Sequence, residues 1–146
     1  MIRPARPDDA EKVAQIAQAA YAPLAKRMDT PPAPMLDDYP ARVGEGVVWV
    51  LEDGADVLGF IILVDREDAL LLENVAVAPE AHGRGAGRRL VAFAEAEAAQ
   101  RGHSAIRLYT HATMVENQAI YAHLGYERTG QGMEDGYDRV QFEKRL

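Results

Sequence analysis

The apolar positions change period several times along the chain, and each change marks an element. Val13, Ile16, Ala17, Ala20, Tyr21 and Leu24 recur at the spacing of one helix face, behind an Asp8 and Glu11 pair that reads as a capping box. A very short strand, Ile2 to Pro4, precedes that helix. Thr30 to Pro34 reads as a proline-rich loop, with a short helix near Asp37 to Val43 beyond it. Val47 to Leu51 and Val57 to Val64 then form two strands around an Asp53-Gly54 hairpin turn. After a second turn at Asp65 to Asp68, Leu70 to Val77 reads as the next strand, ending at Pro79. Leu90, Phe93, Ala94 and Ala98 mark a helix that Gly102 closes. Ile106, Leu108 and Thr110 alternate with Ala105, Arg107 and Tyr109 as a strand, and Val115 to Leu124 reads as a helix stopped at Gly125. From Tyr126 the chain returns into a last alternating segment with Val140, Phe142 and Leu146. The resulting order is βα(α)βββαβαβ, an α/β fold with a crossover helix after the third long strand.

Composition narrows the class. The 146 residues suit one domain, 1–146, in which no repeat or internal boundary is visible. With 48% hydrophobic and 27% charged residues the chain has a soluble, globular make-up. Sixteen basic against 23 acidic side chains give a net charge of -7, which disfavours nucleic acid as a partner. A small anion remains open as a ligand, because an arginine cluster or a helix N-terminus acts within roughly 8 Å at physiological salt. The chain has no cysteine, so disulfides, thiolate metal sites and an enzyme thioester are excluded, and a cytoplasmic location is expected. The longest apolar stretch, Val57 to Val64, is far short of the roughly 20 residues of a membrane span. Neither a membrane segment nor a signal peptide is expected.

Candidate chemistry gathers where the crossover begins. The segment His82-Gly83-Arg84-Gly85-Ala86-Gly87 links a strand to a helix that opens with Arg88-Arg89. Glycines let backbone N–H groups approach a ligand, and the helix start adds unpaired donors and partial positive charge, so the segment reads as an anion cradle. Two familiar phosphate ligands fail on spacing. There is no G-x-x-x-x-G-K-[ST] loop, and Arg88 stands where a dinucleotide fingerprint wants its third glycine. Such a fold would also carry its loop after the first strand, with an acidic residue about 20 positions on, whereas position 107 is Arg.

Taken together, "IRPARPDDAEKVAQIAQAAY", "ENVAVAPEAHGRGAGRRL" and "ENQAIYAHLGYE" resemble, in order and over nearly the whole chain, the GNAT superfamily of acyl-CoA-dependent N-acetyltransferases. Its signature Q/R-x-x-G-x-G/A falls on His82, Gly85 and Gly87, with His82 departing from the usual Gln or Arg. The resemblance implies a GNAT-like mixed central sheet flanked by helices. It also implies acetyl-CoA as acyl donor, the backbone of Val75, Ala76 and Val77 pairing with the pantetheine arm, and the amides of Arg84, Gly85, Ala86, Gly87, Arg88 and Arg89 cradling the pyrophosphate. Tyr121 matches the family tyrosine near the CoA sulfur. A phenol of reference pKa about 10 is able to protonate a leaving thiolate at neutral pH, so Tyr121 is assigned as general acid, a core role being the alternative. Asn117, four residues earlier on the same helix face, is a CoA-contact candidate, although the usual family asparagine lies seven before the tyrosine, where this chain has Met114.

An amine of pKa about 10.4 costs about 4.6 kcal/mol to neutralise at pH 7, which makes a base useful. Glu73 is the leading candidate, directly or through one water; His111 at the end of the following strand is the other, and water alone is a third. His82, His103, His111 and His123 show no metal-ligand spacing, so no metal is expected. Ser104, the sole serine, lacks a G-x-S-x-G setting. In the family the acceptor is chosen by the first helix and the loop after it, here Tyr21 to Tyr39, and by the late hairpin, here Met133 to Tyr137. Met28, Met35, Tyr39, Glu134, Asp135 and Tyr137 are therefore candidates for a partly apolar, acidic pocket. The expected activity is acetyl transfer by direct attack of an amine of a small molecule or peptide. A non-catalytic acyl-CoA-binding or regulatory module is the alternative, and an edge-to-edge homodimer is conceivable by analogy.

Overall fold

A computed structural model describes residues 1–146. The strands form one mixed, seven-stranded sheet in the order β1-β2-β3-β4-β5-β7-β6. The chain divides into two compact units, Met1–Leu63 with Asn74–Phe93, and Val64–Glu73 with Ala94–Leu146.

In the first unit β1 (Ile2–Pro4) pairs antiparallel with β2 (Val48–Asp53), and β2 with β3 (Asp56–Asp65). Gly54, at φ 63°, makes the predicted hairpin turn. Val57 to Leu63 of β3 are all buried, as expected of a strand covered on both sides, and this is why the sequence shows a run there and no alternation. Around it lie α1 (Ala10–Ala25), α2 (Ala33–Leu36) and α3 (Tyr39–Gly44). Tyr39 meets the edge of Phe60 at 5.6 Å between ring centres. Trp49 packs at 6.0 Å on Phe93, a residue of α4 (Ala86–Gln100).

The start of α1 departs from expectation by one residue. A single 3₁₀ turn, Pro7–Asp9, precedes it, and the carboxylate of Asp9 rather than Asp8 closes the capping box over that turn, while no side-chain bond caps α1 itself. The Asp9 carboxylate accepts the Arg6 N–H at 2.7 Å and both terminal nitrogens of Arg3, at 2.7 and 3.1 Å. Asp8 points to solvent. The half-buried arginine partner, contributed by β1, decides between the two neighbouring aspartates.

In the second unit the first residues of β4 (Leu70–Val77) run parallel to β5 (Ala105–His111), with Leu70 opposite Ile106 and Leu72 opposite Leu108. α5 (Val115–His123) follows β5. The last predicted segment resolves into two antiparallel strands, β6 (Glu127–Glu134) and β7 (Tyr137–Arg145), turning at Asp135 and Gly136 with φ of 52° and 84°. β6 is mostly exposed and carries no alternating apolar face, since it ends the sheet order, so periodicity could not show it as a separate strand. No helix is long and apolar enough to cross a membrane.

Candidate active site

All the cofactor candidates except Asn117 lie in the first unit. Side chains of β4 alternate, with Asn74 and Ala76 buried and Val75 and Val77 half-buried. The strand is held closely at Gly59 of β3, where an added Cβ would stand 2.8 Å from the Ala76 carbonyl oxygen and 3.2 Å from Leu90 Cδ1. Ala78 then donates its N–H to the Leu58 carbonyl at 2.8 Å. Gly59 was not singled out from the sequence, yet a glycine inside the apolar run Val57 to Val64 is the signal of close backbone approach.

Beyond β4, one 3₁₀ turn at Pro79–Ala81 leads into the glycine segment. Gly83 and Gly85 adopt φ of 83° and 74°, a region that other residues enter only at a cost. At Gly85 an added Cβ would meet nothing within 4 Å, so its glycine serves the backbone conformation and leaves the turn open. Gly87 sits beside the strand, its virtual Cβ 3.7 Å from Val77 Cγ2. Arg89 N–H bonds the Gly85 carbonyl at 3.0 Å, as α4 begins. The N–H groups of Ala86, Gly87 and Arg88 consequently have no carbonyl one turn back within the helix. Ala86 is buried, whereas Arg84, Arg88 and Arg89 are exposed. Amides without a helical carbonyl partner, a left-handed glycine pair and three guanidinium groups within six residues fit a diphosphate.

The other candidates belong to the second unit. Tyr121 on α5 is 8% exposed, and its ring lies 6.0 Å from those of Tyr126 and Phe142. Burial pushes its phenol up to about 12, so it remains protonated at neutral pH. The end of α5 is fixed firmly. Tyr126 N–H bonds the Tyr121 carbonyl at 3.0 Å, and the Tyr126 hydroxyl donates to Glu95 at 2.9 Å. Lys144 reaches both Glu95, at 3.1 Å, and the Leu124 carbonyl, at 3.0 Å. Burial and the Glu95 charge together hold the Tyr126 phenol well above its ordinary value.

Asn117 is half-buried one turn before Tyr121, its amide 3.9 Å from the Met114 sulfur. Met114 also lies 3.5 Å from the Thr110 hydroxyl, so the thioether accepts from residues on both sides of the β5–α5 turn. Glu73 is half-buried on β4. His111 Nδ1 accepts the Thr113 N–H at 3.2 Å and lies 2.9 Å from its hydroxyl. A neutral ring that accepts at Nδ1 carries its proton on Nε2, so its basic nitrogen is already engaged by Thr113.

The acceptor candidates divide. Tyr39 is 2% exposed and its hydroxyl donates to the Pro34 carbonyl, so it is a core residue and lines no open pocket. Met133 is 68% exposed. Asp135 and Glu134 stand 3.5 and 3.9 Å from Arg139, whose guanidinium lies 4.3 Å over the Tyr109 ring, so part of their charge is matched within the hairpin.

Comparison with known proteins bears on this geometry. Residues 44–128 match the family model described as an acetyltransferase (GNAT) domain. A 65-residue segment is 43% identical to mouse (Mus musculus) N-alpha-acetyltransferase 80, covering 44% of this chain and 19% of that protein. The match thus spans about a fifth of the curated relative. Among solved structures, the PaiA N-acetyltransferase of Thermoplasma acidophilum, in complex with coenzyme A, superposes with a TM-score of 0.82 at 19% identity, over 100% of this chain and 98% of the other. The ribosomal-protein-alanine N-acetyltransferase of Brucella melitensis gives 0.75 at 26% identity, over 100% and 99%.

Proposed function

This chain belongs to the GNAT acetyltransferase family, and on that premise we propose that it is an acyl-CoA-dependent N-acetyltransferase, moving an acetyl group from acetyl-CoA to an amine of a small molecule or peptide. The observation that carries the proposal is the turn from Gly83 to Gly87, open above Gly85 and continued by the N-terminus of α4. Acetyl-CoA supplies the acetyl group already activated as a thioester. The peptide groups of Val75, Ala76 and Val77 hold the pantetheine arm, and the amides from Arg84 to Arg89 hold the pyrophosphate, with Asn117 a further contact. Helix-terminus contacts of this kind contribute about 0.3 to 1 kcal/mol each, so several must converge with the arginines.

With no cysteine to carry the acetyl group as an enzyme thioester, the amine attacks the acetyl carbonyl directly. Glu73 takes the amine proton, directly or through one water. The family resemblance assigns Tyr121 to the leaving sulfur, and burial keeps its phenol protonated. Against a thiol reference of about 8.5, proton transfer from such a phenol is uphill by about 5 kcal/mol. Tyr121 therefore acts first as a hydrogen-bond donor to the charge growing on sulfur, an interaction strengthened where water is excluded, and yields its proton as that charge is completed. The -7 net charge favours a cationic or amine-bearing acceptor. The cysteine-free chain suits the cytoplasm, and an edge-to-edge homodimer is the assembly proposed by analogy.

The test is release of free thiol from acetyl-CoA across a panel of polyamines, amino acids and short peptides. The chain contributes no thiol of its own, so the thiol that appears only when an amine is added reports transfer. Amine-dependent release that falls steeply in Tyr121→Phe is the expected result. Tight acetyl-CoA binding with no transfer to any amine would instead identify a binding module.

A further inference from the structure

Asn74 is out of character for its position. It is 6% exposed in the interior of a strand, beside Ala76 on the buried face, where an amide is destabilising unless it is hydrogen-bonded. Its partners come from two helices. The Tyr21 hydroxyl on α1 donates to Asn74 Oδ1 at 2.6 Å, and Asn74 Nδ2 donates to the Tyr39 hydroxyl on α3 at 3.4 Å. Tyr39 in turn donates to the Pro34 carbonyl. The donors run in one consistent direction, Asn74 to Tyr39 to Pro34, while the Asn74 amide oxygen accepts from the Tyr21 hydroxyl.

This chain of bonds ends at the strand that is proposed to carry the acyl arm. The Tyr21 hydroxyl lies 3.5 Å from the Val75 carbonyl oxygen as well. Asn74 and Val75 point to opposite faces, so Asn74 acts on its neighbour through the backbone. At the far end of the same segment, Ala78 is bonded to Leu58 and Ala76 lies against Gly59. The peptide groups of Val75 to Val77 are thus held from two directions, by side chains at Asn74 and by backbone at Leu58 and Gly59.

We propose that Asn74, held by Tyr21 and Tyr39, is a positioning residue that sets the peptide planes of Val75 to Val77 for pairing with the acyl arm of CoA. The proposal rests on the acyl-CoA reading above. Hydrogen bonds weaken steeply with misalignment, so fixing these planes before the ligand arrives favours binding of the arm. The glycine turn has its own supports, namely its positive-φ glycines and the first bond of α4, and the nucleotide end of CoA is accordingly insensitive to Asn74.

That difference between the two ends of one ligand supplies the experiment. Calorimetric titration of the full chain with acetyl-CoA, and with adenosine 3′-phosphate 5′-diphosphate, which keeps the nucleotide end and lacks the pantetheine arm, compares wild type with Tyr21→Phe and Asn74→Ala. The expected result is a dissociation constant for acetyl-CoA raised about tenfold, with that of the nucleotide fragment within about twofold of wild type. Equal weakening of both ligands would signify a general loosening and overturn the proposal, and so would unchanged acetyl-CoA binding. If Asn74→Ala does not fold, Tyr21→Phe and Tyr39→Phe, each lacking a single oxygen, carry the comparison. Failure of the wild type to bind either ligand is a different outcome, which removes the acyl-CoA reading itself.

Discussion

Replacing Gly59 with alanine adds one carbon at the tightest backbone approach in the first unit. Gly59 lies outside the left-handed region, so the cost is steric alone. The new Cβ would begin 2.8 Å from the Ala76 oxygen and 3.2 Å from Leu90 Cδ1. A close carbon–oxygen contact is about 3.3 to 3.6 Å, so β4 must retreat by about 0.5 Å or more. Leu90 can turn aside, but the Ala76 carbonyl belongs to the strand and cannot move alone. Overpacking of this kind costs about 1 to 3 kcal/mol. For a chain of this length that corresponds to a fall of about 3 to 10 °C in Tm. Because the displaced strand contains Val75 to Val77, acetyl-CoA affinity falls as well. Differential scanning calorimetry with and without acetyl-CoA measures both effects. Gly44→Ala is the control, since its Cβ meets nothing within 4 Å at the end of α3, and it is expected to be neutral or slightly stabilising. A Gly59→Ala protein with Tm within about 1 °C of wild type and undiminished ligand affinity would refute the steric reasoning.

Three further outcomes are expected. Gly85→Asp places a side chain at φ 74° and a negative charge in the proposed cradle, and it abolishes acetyl-CoA binding by calorimetry while the circular dichroism spectrum is retained. The Tyr121 phenol, pushed up to about 12, stays protonated through the working range, so turnover of an amine acceptor shows no loss on the alkaline side up to about pH 10. A falling limb near the ordinary tyrosine value that vanishes in Tyr121→Phe would contradict this. Asp9→Asn breaks the pair with Arg3, whose hydrogen bonds hold the Asp9 carboxyl below its ordinary value. The ionised form therefore contributes its full stability above the ordinary carboxylate range and loses it as pH falls through the lowered native value. The variant is expected to lose about 1 to 3 kcal/mol near pH 7, with the gap to wild type narrowing in acid. A gap that is constant between pH 7 and pH 3 in urea titrations would count against the ion pair.

What the sequence makes legible follows from the range of the interactions concerned. The run Val57 to Val64, the turn at Gly54 and the helix face of Val13, Ile16 and Ala17 are local patterns set by burial, and all of them appear in the structure. The glycine turn is equally local, because positive φ at Gly83 and Gly85 is written into the residue type. Other features depend on partners distant in sequence. Asp9 is chosen over Asp8 by Arg3, and through it Glu52, which also pairs with Arg3 at 2.6 Å. β6 is a strand because β7 pairs with it, with little burial of its own to reveal it. Tyr39, an acceptor-pocket candidate by sequence, is drawn into the core by Phe60 and Pro34. Asn74 could be recognised only once Tyr21, 53 residues away, was seen to meet it.

The central claim is that the turn from Gly83 to Gly87 and the strand before it hold acetyl-CoA. Thermal unfolding with acetyl-CoA at 100 times its dissociation constant tests it most directly, with ATP and NAD as controls. Such saturation adds about 2.7 kcal/mol, a rise of about 5 to 10 °C for a chain of this size. The account predicts that rise with acetyl-CoA and none of comparable size with ATP or NAD. An unchanged Tm at millimolar acetyl-CoA, or an equal rise with ATP, would contradict it.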